Sequence, residues 1–380
     1  MSKPVIYSDK FAATLRHINV SLQDLEALRL ILKGDSVIDW HKLEFSTIDD
    51  VNQFLNANQY FVENREDTER LRTIFSAAIK YLNTNFHYHF PKEIREITDV
   101  RELFLTASST GYYQELACMI LKVMHIINHI EARELRFFLP ISEETLFRLA
   151  EEKVNKCVVE MKQKGFPIIE YQGSRKTRDS LITKLLAKRS TLAAQIFDKL
   201  RFRLVVKDSN DLIPVLIYMK QNLFPFNYII PLESKNNIIN LRSLLDESSY
   251  FKNIAGDLEY GIKFEEMLCE HYETNPYTSE HYRMINFIVD MPIRVDQLIC
   301  LYGQPMLQHM GNIVFLLIEF QMFDETSYGI NEEGSNSHER YKARQKWDVI
   351  SRLVHGMVPF NVKTANIKNF APAVVEKEEK

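Results

Sequence analysis

The run "IVFLLIEFQM" at 313–322 constrains this chain more than any other stretch. It is almost continuously apolar and reads as a strand buried on both faces. Such a strand needs partners on both sides within a sheet and a packed layer over each face. Glu319 sits inside it, with Gln321 two residues on and therefore on the same face. A glutamate at such a position rarely persists without a cation, a metal or a chemical task.

The chain around that strand changes grammar once. Residues 1–163 read as helical. "SLQDLEALRLILKG" sets Leu22, Leu25, Leu28 and Ile31 at helical spacing, with Ser21 as N-cap and Gly34 as stop. "GYYQELACMILKVMHIINHIEARELRFFLP" is one long apolar helix or two, halted by Pro140, and "SEETLFRLAEEKVNKCVVEMKQKG" repeats the serine cap and glycine stop. From residue 166 strands alternate with helices. "FPIIEYQ", "RFRLVV" and "FNYIIP" read as strands, and "TRDSLITKLLAKRSTLAAQIFDKL" and "SNDLIPVLIYMKQNL" as helices. After an irregular stretch, "HYRMINFIVDMPIRV" and "GNIVFLLIEFQMF" are two long β-rich runs, and a last helix spans about 332–356. The pattern predicts an α+β chain: a helical region over 1–163, a mixed sheet flanked by helices over 164–360, and a disordered charged tail over 361–380.

Composition excludes some functions. The formal net charge is −4, so no global basic field draws nucleic acid, and any anion site must be local. The four cysteines lie far apart with no CxxC pair and read as reduced thiols. No apolar run reaches membrane-spanning length and the first residues lack a signal-peptide core, so a soluble, cytoplasmic protein is expected.

Several residues could carry chemistry. In "GSRKTRDSLITK", Lys176, Ser180 and Lys184 are spaced four apart, along one face of a helix that starts near Thr177. Arg175 and Lys176 stand where a strand ends and that helix begins, where free N–H groups favour an anion. A capped surface helix explains the stretch equally well, and it lacks the glycines of a P-loop. Asp198 stands just before "RFRLVV", in which Arg201 and Arg203 share the face opposite Phe202 and Leu204. Two arginines on an interior strand need partners; a metal–phosphate site and a structural ion pair both fit. Tyr282 and Arg283 open the neighbouring strand, with Asn286 on the tyrosine's side, and an exposed tyrosine there could stack a base or pack an edge. "NEEGSNSHERYK" puts Glu332, His338, Tyr341 and Lys342 at the start of the last helix. His125, His129 and Glu131 have metal-compatible spacing but read as an ordinary helix face.

Together these segments resemble the synthetase domain of the RelA/SpoT family, the guanosine tetra- and pentaphosphate synthetases, over about residues 165–345. The family's K-S-x-x-S-I-x-x-K is matched by Lys176, Thr177, Ser180, Leu181 and Lys184, and D-x-x-G-x-R-[IV] by Asp198, Arg201, Arg203 and Leu204. E-[IV]-Q corresponds to Glu319-Phe320-Gln321, and A-E-x-G-x-x-A-H-x-x-Y-K to Asn331, Glu332, Gly334, Ser337, His338, Tyr341 and Lys342. The departures are also specific. Ser174 replaces a family arginine, with Arg175 one position displaced. Arg201 replaces the glycine of D-x-x-G-x-R. Phe323 and Asp324 follow the E-[IV]-Q match, and Asn286 stands for the histidine of G-Y-R-S-x-H. A rival match for that last motif lies at 241–245. No HD dipeptide supports a hydrolase domain in the helical half.

The resemblance implies a nucleotidyltransferase-like sheet and pyrophosphate transfer from ATP to the 3′-hydroxyl of a guanine nucleotide, giving ppGpp or pppGpp. It implies Mg²⁺ between Asp198 and Glu319, with Glu319 as base. Arg175, Lys176, Ser180, Lys184 and Arg203 would hold phosphates, and Tyr282, Arg283, His338 and Lys342 would hold the nucleotides. Two alternatives stay open: the same chemistry on an adenine nucleotide or a tRNA 3′ end, and a degenerate, non-catalytic nucleotide-binding domain.

Overall fold

The computed structural model describes residues 20, 22–33, 36–39, 43–187, 196–239, 282–302 and 310–332, with scattered positions between 342 and 353. The helices of the first half are α1 (Leu22–Lys33), α2 (Ile48–Ala57), α3 (Arg65–Phe86), α4 (Lys92–Arg95), α5 (Val100–Ser108), α6 (Tyr112–Phe138) and α7 (Glu143–Gln163). Then come β1 (Ile168–Arg175), α8 (Arg178–Ala187), β2 (Leu200–Val206), α9 (Leu212–Asn222), β3 (Lys235–Asn236), β4 (Ile285–Arg294), α10 (Asp296–Tyr302), β5 (Ile313–Asp324) and α11 (Glu325–Glu332). Two compact units divide the chain, one within Met1–Arg175, Phe197–Tyr272 and Arg283–Thr326, the other within Lys176–Ile196, Glu273–Tyr282 and Ser327–Lys380.

Local chemistry explains the helix ends. Thr47 and Asp50 form a reciprocal capping box at the start of α2, and Asn64 accepts from Glu66 N at the start of α3. Ser142 caps α7 through Thr145 N, and Gly165 follows its end at φ +83°, as the serine and glycine signals predict. The long apolar pattern before Pro140 is one helix of 27 residues. Leu22–Lys33 is helical as expected, while its two terminal signals, Ser21 and Gly34, lie outside the described residues. Pro214 is tolerated because it occupies the first turn of α9, where its missing N–H breaks no helical bond.

Within the larger unit the sheet order is β1-β2-β5-β4-β3. Strands β2 and β5 are parallel and the other neighbours antiparallel, so the sheet is mixed and β5 lies at its centre. Every residue of β5 but Leu317 is buried, as the uninterrupted apolar run requires. One face carries Phe202, Phe320 and Phe287, whose rings stack across three strands at centroid distances of 5.7 and 5.4 Å and meet Phe224 just past α9. Gly173 of β1 pairs with Phe202, and a Cβ there would meet the Phe202 ring at 3.0 Å. Helix α7 lies over this face, with Tyr171 Oη donating to Asn155 Oδ1 at 2.6 Å. The opposite face takes α6, whose His129 ring meets Phe315 edge-on and whose Nε2 is 2.8 Å from buried Asp290 Oδ2. One continuous hydrophobic core runs through the helices before residue 163 and the sheet after it.

Three sequence expectations change. "FNYIIP" is not a strand: Phe226–Tyr228 form a 3₁₀ turn, and Ile229 makes a single bridge to Val289. The ladder stops there because the following residues turn away at Leu232, which has φ +63°. The helix predicted to run to Leu200 is described as α8 to Ala187, and residues 188–195 lie outside the described residues. Ile196–Asp198 are irregular and Leu200 already pairs in β2. Finally, α11 precedes the last predicted helix, most of which lies outside the described residues. The tail over 361–380 lies outside them as well.

Candidate functional site

On the α6 face, the side chains change from apolar to polar along β5. Phe315 and Leu317 lie under or beside α6, and then Glu319 and Gln321 point the same way. Register brings Arg201 beside Glu319 and Arg203 beside Gln321 on β2, and Asn286 opposite Gln321 on β4. Asp198, two residues before β2, completes the cluster.

All the acidic and amide members are buried: Asp198, Asn286, Glu319 and Gln321 are each no more than 8% exposed. Arg201 lies between the two carboxylates. Its Nε donates to Glu319 Oε2 at 2.5 Å, and its Nη2 donates to Asp198 Oδ2 at 3.3 Å. The other oxygen of Glu319, Oε1, accepts from Gln321 Nε2 at 3.3 Å. With its amide turned so that both ends are satisfied, Asn286 donates to the same oxygen at 2.8 Å. Buried carboxylates need such donors, because an unpaired buried charge is costly. Gln321 Oε1 is buried and has no donor among the described residues. Arg203 places its guanidinium over the Phe323 ring at 5.6 Å.

The structure brings together Asp198, Glu319 and Arg203 of the expected site residues. Arg201 joins them, an arginine for which the sequence calls for a partner but no role in the site. The signal was present: two arginines on the non-apolar face of an interior strand must be partnered. Arg175 is not brought to this cluster. It pairs with Leu200, which puts it on the phenylalanine face, and its guanidinium holds Glu151 of α7 through bonds of 2.7 and 2.6 Å. It also binds Glu144 and lies over the Phe147 ring. These bonds, first those to Glu151, raise its pKa above the ordinary arginine value. The role expected for it on phosphate oxygens belongs to a side chain already engaged elsewhere.

Lys176, Ser180 and Lys184 lie in the smaller unit. Thr177 starts α8: its Oγ1 accepts from Ser180 N at 3.3 Å and donates to Ser180 Oγ at 2.9 Å. Lys176, Ser180 and Lys184 are half-buried, as are Leu181 and Thr183, whereas Thr177, Arg178, Asp179 and Ile182 are exposed. Tyr282, half-buried, also belongs to the smaller unit, and Arg283 is exposed in the larger. Lys342 is exposed. His338, Tyr341 and the 241–245 stretch lie outside the described residues. In the helical half, Glu131 pairs with Arg70, and His125 Nδ1 meets Asn227 Nδ2 at 3.2 Å, so the "HIINHIE" side chains are spread over three different partners.

The cluster can be tested for Mg²⁺, which takes oxygen ligands at about 2.0–2.1 Å in near-octahedral geometry. Here Asp198 Oδ2 and Glu319 Oε2 are both bonded to the Arg201 guanidinium. Among the described residues, no three His, Cys, Asp or Glu side chains form a group able to hold a metal. As arranged, these residues do not fit a divalent cation.

No family model matches the chain, and no curated protein matches it. Among solved structures it is similar to small alarmone synthetase 1 from Bacillus subtilis, at 13% identity and a TM-score of 0.28, over 59% of this chain and 92% of that one. Small alarmone synthetase 2 from Bacillus subtilis gives 13% and 0.28, over 55% and 94%. A GTP pyrophosphokinase family protein from Streptococcus pneumoniae gives 11% and 0.26, over 56% and 89%. Likeness at this level establishes neither family nor activity. The α+β architecture rests on the sheet and helices themselves. Among the described residues no helix is long and apolar enough to cross a membrane.

Proposed function

We propose that the chain is a divergent RelA/SpoT-like synthetase that transfers pyrophosphate from ATP to the 3′-hydroxyl of a guanine nucleotide. One observation carries the reading: Glu319 and Asp198, 121 residues apart in the chain, converge on a single guanidinium within one buried polar cluster. In this reading the acceptor hydroxyl attacks the β-phosphorus of ATP, the bond from that phosphorus to the α-phosphate oxygen breaks, and AMP leaves. Glu319 takes the proton of the attacking hydroxyl. Arg201 holds Glu319 in place, and Arg203 faces the developing negative charge on the phosphate oxygens. Phosphoryl-type transfer asks mainly for positioning and charge neutralisation, which two arginines can supply. An intracellular, soluble enzyme acting on free nucleotides is the matching setting.

A panel of acceptors with labelled ATP tests the proposal. Tetra- or pentaphosphate formed from GDP or GTP supports it, and transfer to an adenine nucleotide or to RNA but not to GDP would replace the acceptor. A second reading has its own observation. The ion pairs of Arg201 tie up both carboxylates, as they would in a domain that binds nucleotide without turning it over. Saturable ATP binding in calorimetry with no product from any acceptor would favour that reading.

A further inference from the structure

Both carboxylates that the resemblance assigns to a metal already share a cation. In the motif that Asp198 opens, Arg201 stands where the resemblance calls for glycine, a residue with no side chain to fill that space. Its guanidinium instead reaches Glu319 at 2.5 Å and Asp198 at 3.3 Å, both carboxylates being buried. A divalent ion would have to break both bonds and expel a permanently charged group from beside two buried anions. Glu319 Oε1 offers no easy alternative, because Gln321 and Asn286 already donate to it.

We propose that Arg201 is a resident cation standing in the place of a protein-held divalent metal, and that removing its side chain opens a Mg²⁺ or Mn²⁺ site between Asp198 and Glu319. In the wild-type cluster Arg201 then supplies the counter-charge of both carboxylates, which hold no metal of their own. Gln321 adds a second, independent sign of a cation-ready environment. Its Oε1 is buried beside Glu319 without a donor among the described residues, and an oxygen of that kind is a suitable further ligand for a hard cation. The inference concerns the cluster used in the proposed transfer and takes the identity of the metal from the resemblance; the Asp198–Arg201–Glu319 ion pairs stand on their own geometry.

Mn²⁺ binding to the full chain without nucleotide, followed by the electron paramagnetic resonance of the free ion, tests the proposal. Chelator-treated wild type is expected to show no saturable site. Arg201→Gly is expected to gain one site per chain, lost again when Glu319→Gln is added. Mg²⁺ should raise the Tm of Arg201→Gly and leave that of the wild type unmoved, since a ligand stabilises only the state that binds it. Should the glycine variant fail to fold, Arg201→Gln keeps a hydrogen-bonding side chain without the charge, and the same gain is expected of it. One equivalent of Mn²⁺ bound by the wild type as tightly as by the variant would overturn the proposal. A folded Arg201→Gly or Arg201→Gln that gains no site would overturn it too. No nucleotide is present, so a failure of the transfer reading shows separately, in the acceptor panel.

Discussion

Arg201 is the residue on which the cluster turns. Its removal leaves Asp198 and Glu319 buried without their shared cation. Arg201→Ala should therefore destabilise the fold by roughly 3 kcal/mol, the low end for breaking a buried pair from one side. Urea unfolding checks this, and an unchanged midpoint would mean that the pair is solvated. The effect at Arg175 is expected to be smaller, because its partners Glu144 and Glu151 are more exposed and their ion pairs correspondingly weaker. A second residue sets an acid limit. Burial, helped by neighbouring His129, lowers the pKa of His125 from 6.5 to about 4. The unfolded chain thus takes up a proton below pH 6.5 that the native chain refuses until about pH 4. Stability should fall as pH drops through that window. His125→Gln is expected to flatten this slope in denaturation midpoints measured between pH 7 and pH 4; an identical slope would remove His125 from the account. At this scale the sequence was partly legible. Glu319 announced itself by its apolar surroundings, and the face shared by Arg201 and Arg203 followed from strand alternation. The destination of Arg175 was not legible, since its glutamates lie on α7, 24 and 31 residues earlier in the chain.

Among the elements, β5 decides the sheet, and its buried run of apolar residues made it readable in advance. Strands β2 and β4 were readable from strand alternation instead, since polar residues interrupt their apolar ones. "FNYIIP" misled because its apolar residues serve two faces: Phe226 and Tyr228 are buried in the core, but only Ile229 makes a ladder contact. Local pattern cannot distinguish a buried turn from a short buried strand. The phenylalanine stack over the other face predicts that Phe320→Ala costs about 3–5 kcal/mol, the usual range for emptying a buried aromatic site. Helix α1 is tied to α9 by a buried pair, Asp24 Oδ1 to Lys220 Nζ at 2.6 Å, with Gln221 donating to the other carboxylate oxygen. Asp24→Ala should leave Lys220 buried without its carboxylate and lower the Tm by more than any exposed pair would. The i,i+4 pair Arg65–Glu69 is the internal control, since both its side chains are exposed.

For the whole molecule, the change of pattern near residue 163 marks a change of secondary structure within one core. Helix α6 covers one face of the sheet and α7 the other, so the helical half shields the strands that carry the cluster. A chain beginning at residue 164 is expected to lose cooperative unfolding and to aggregate through bared strand faces. A sharp thermal transition in that fragment would contradict the shared core. The helical half therefore has a structural role whatever else it does. The cluster's central claim remains chemical, and one comparison tests it most directly: the rate of labelled pyrophosphate transfer from ATP to GDP or GTP by the wild type and by Glu319→Gln. Tetra- or pentaphosphate is expected from the wild type, with a loss of at least about a hundredfold in the variant, the scale of general-base catalysis. Transfer that survives Glu319→Gln undiminished would contradict it.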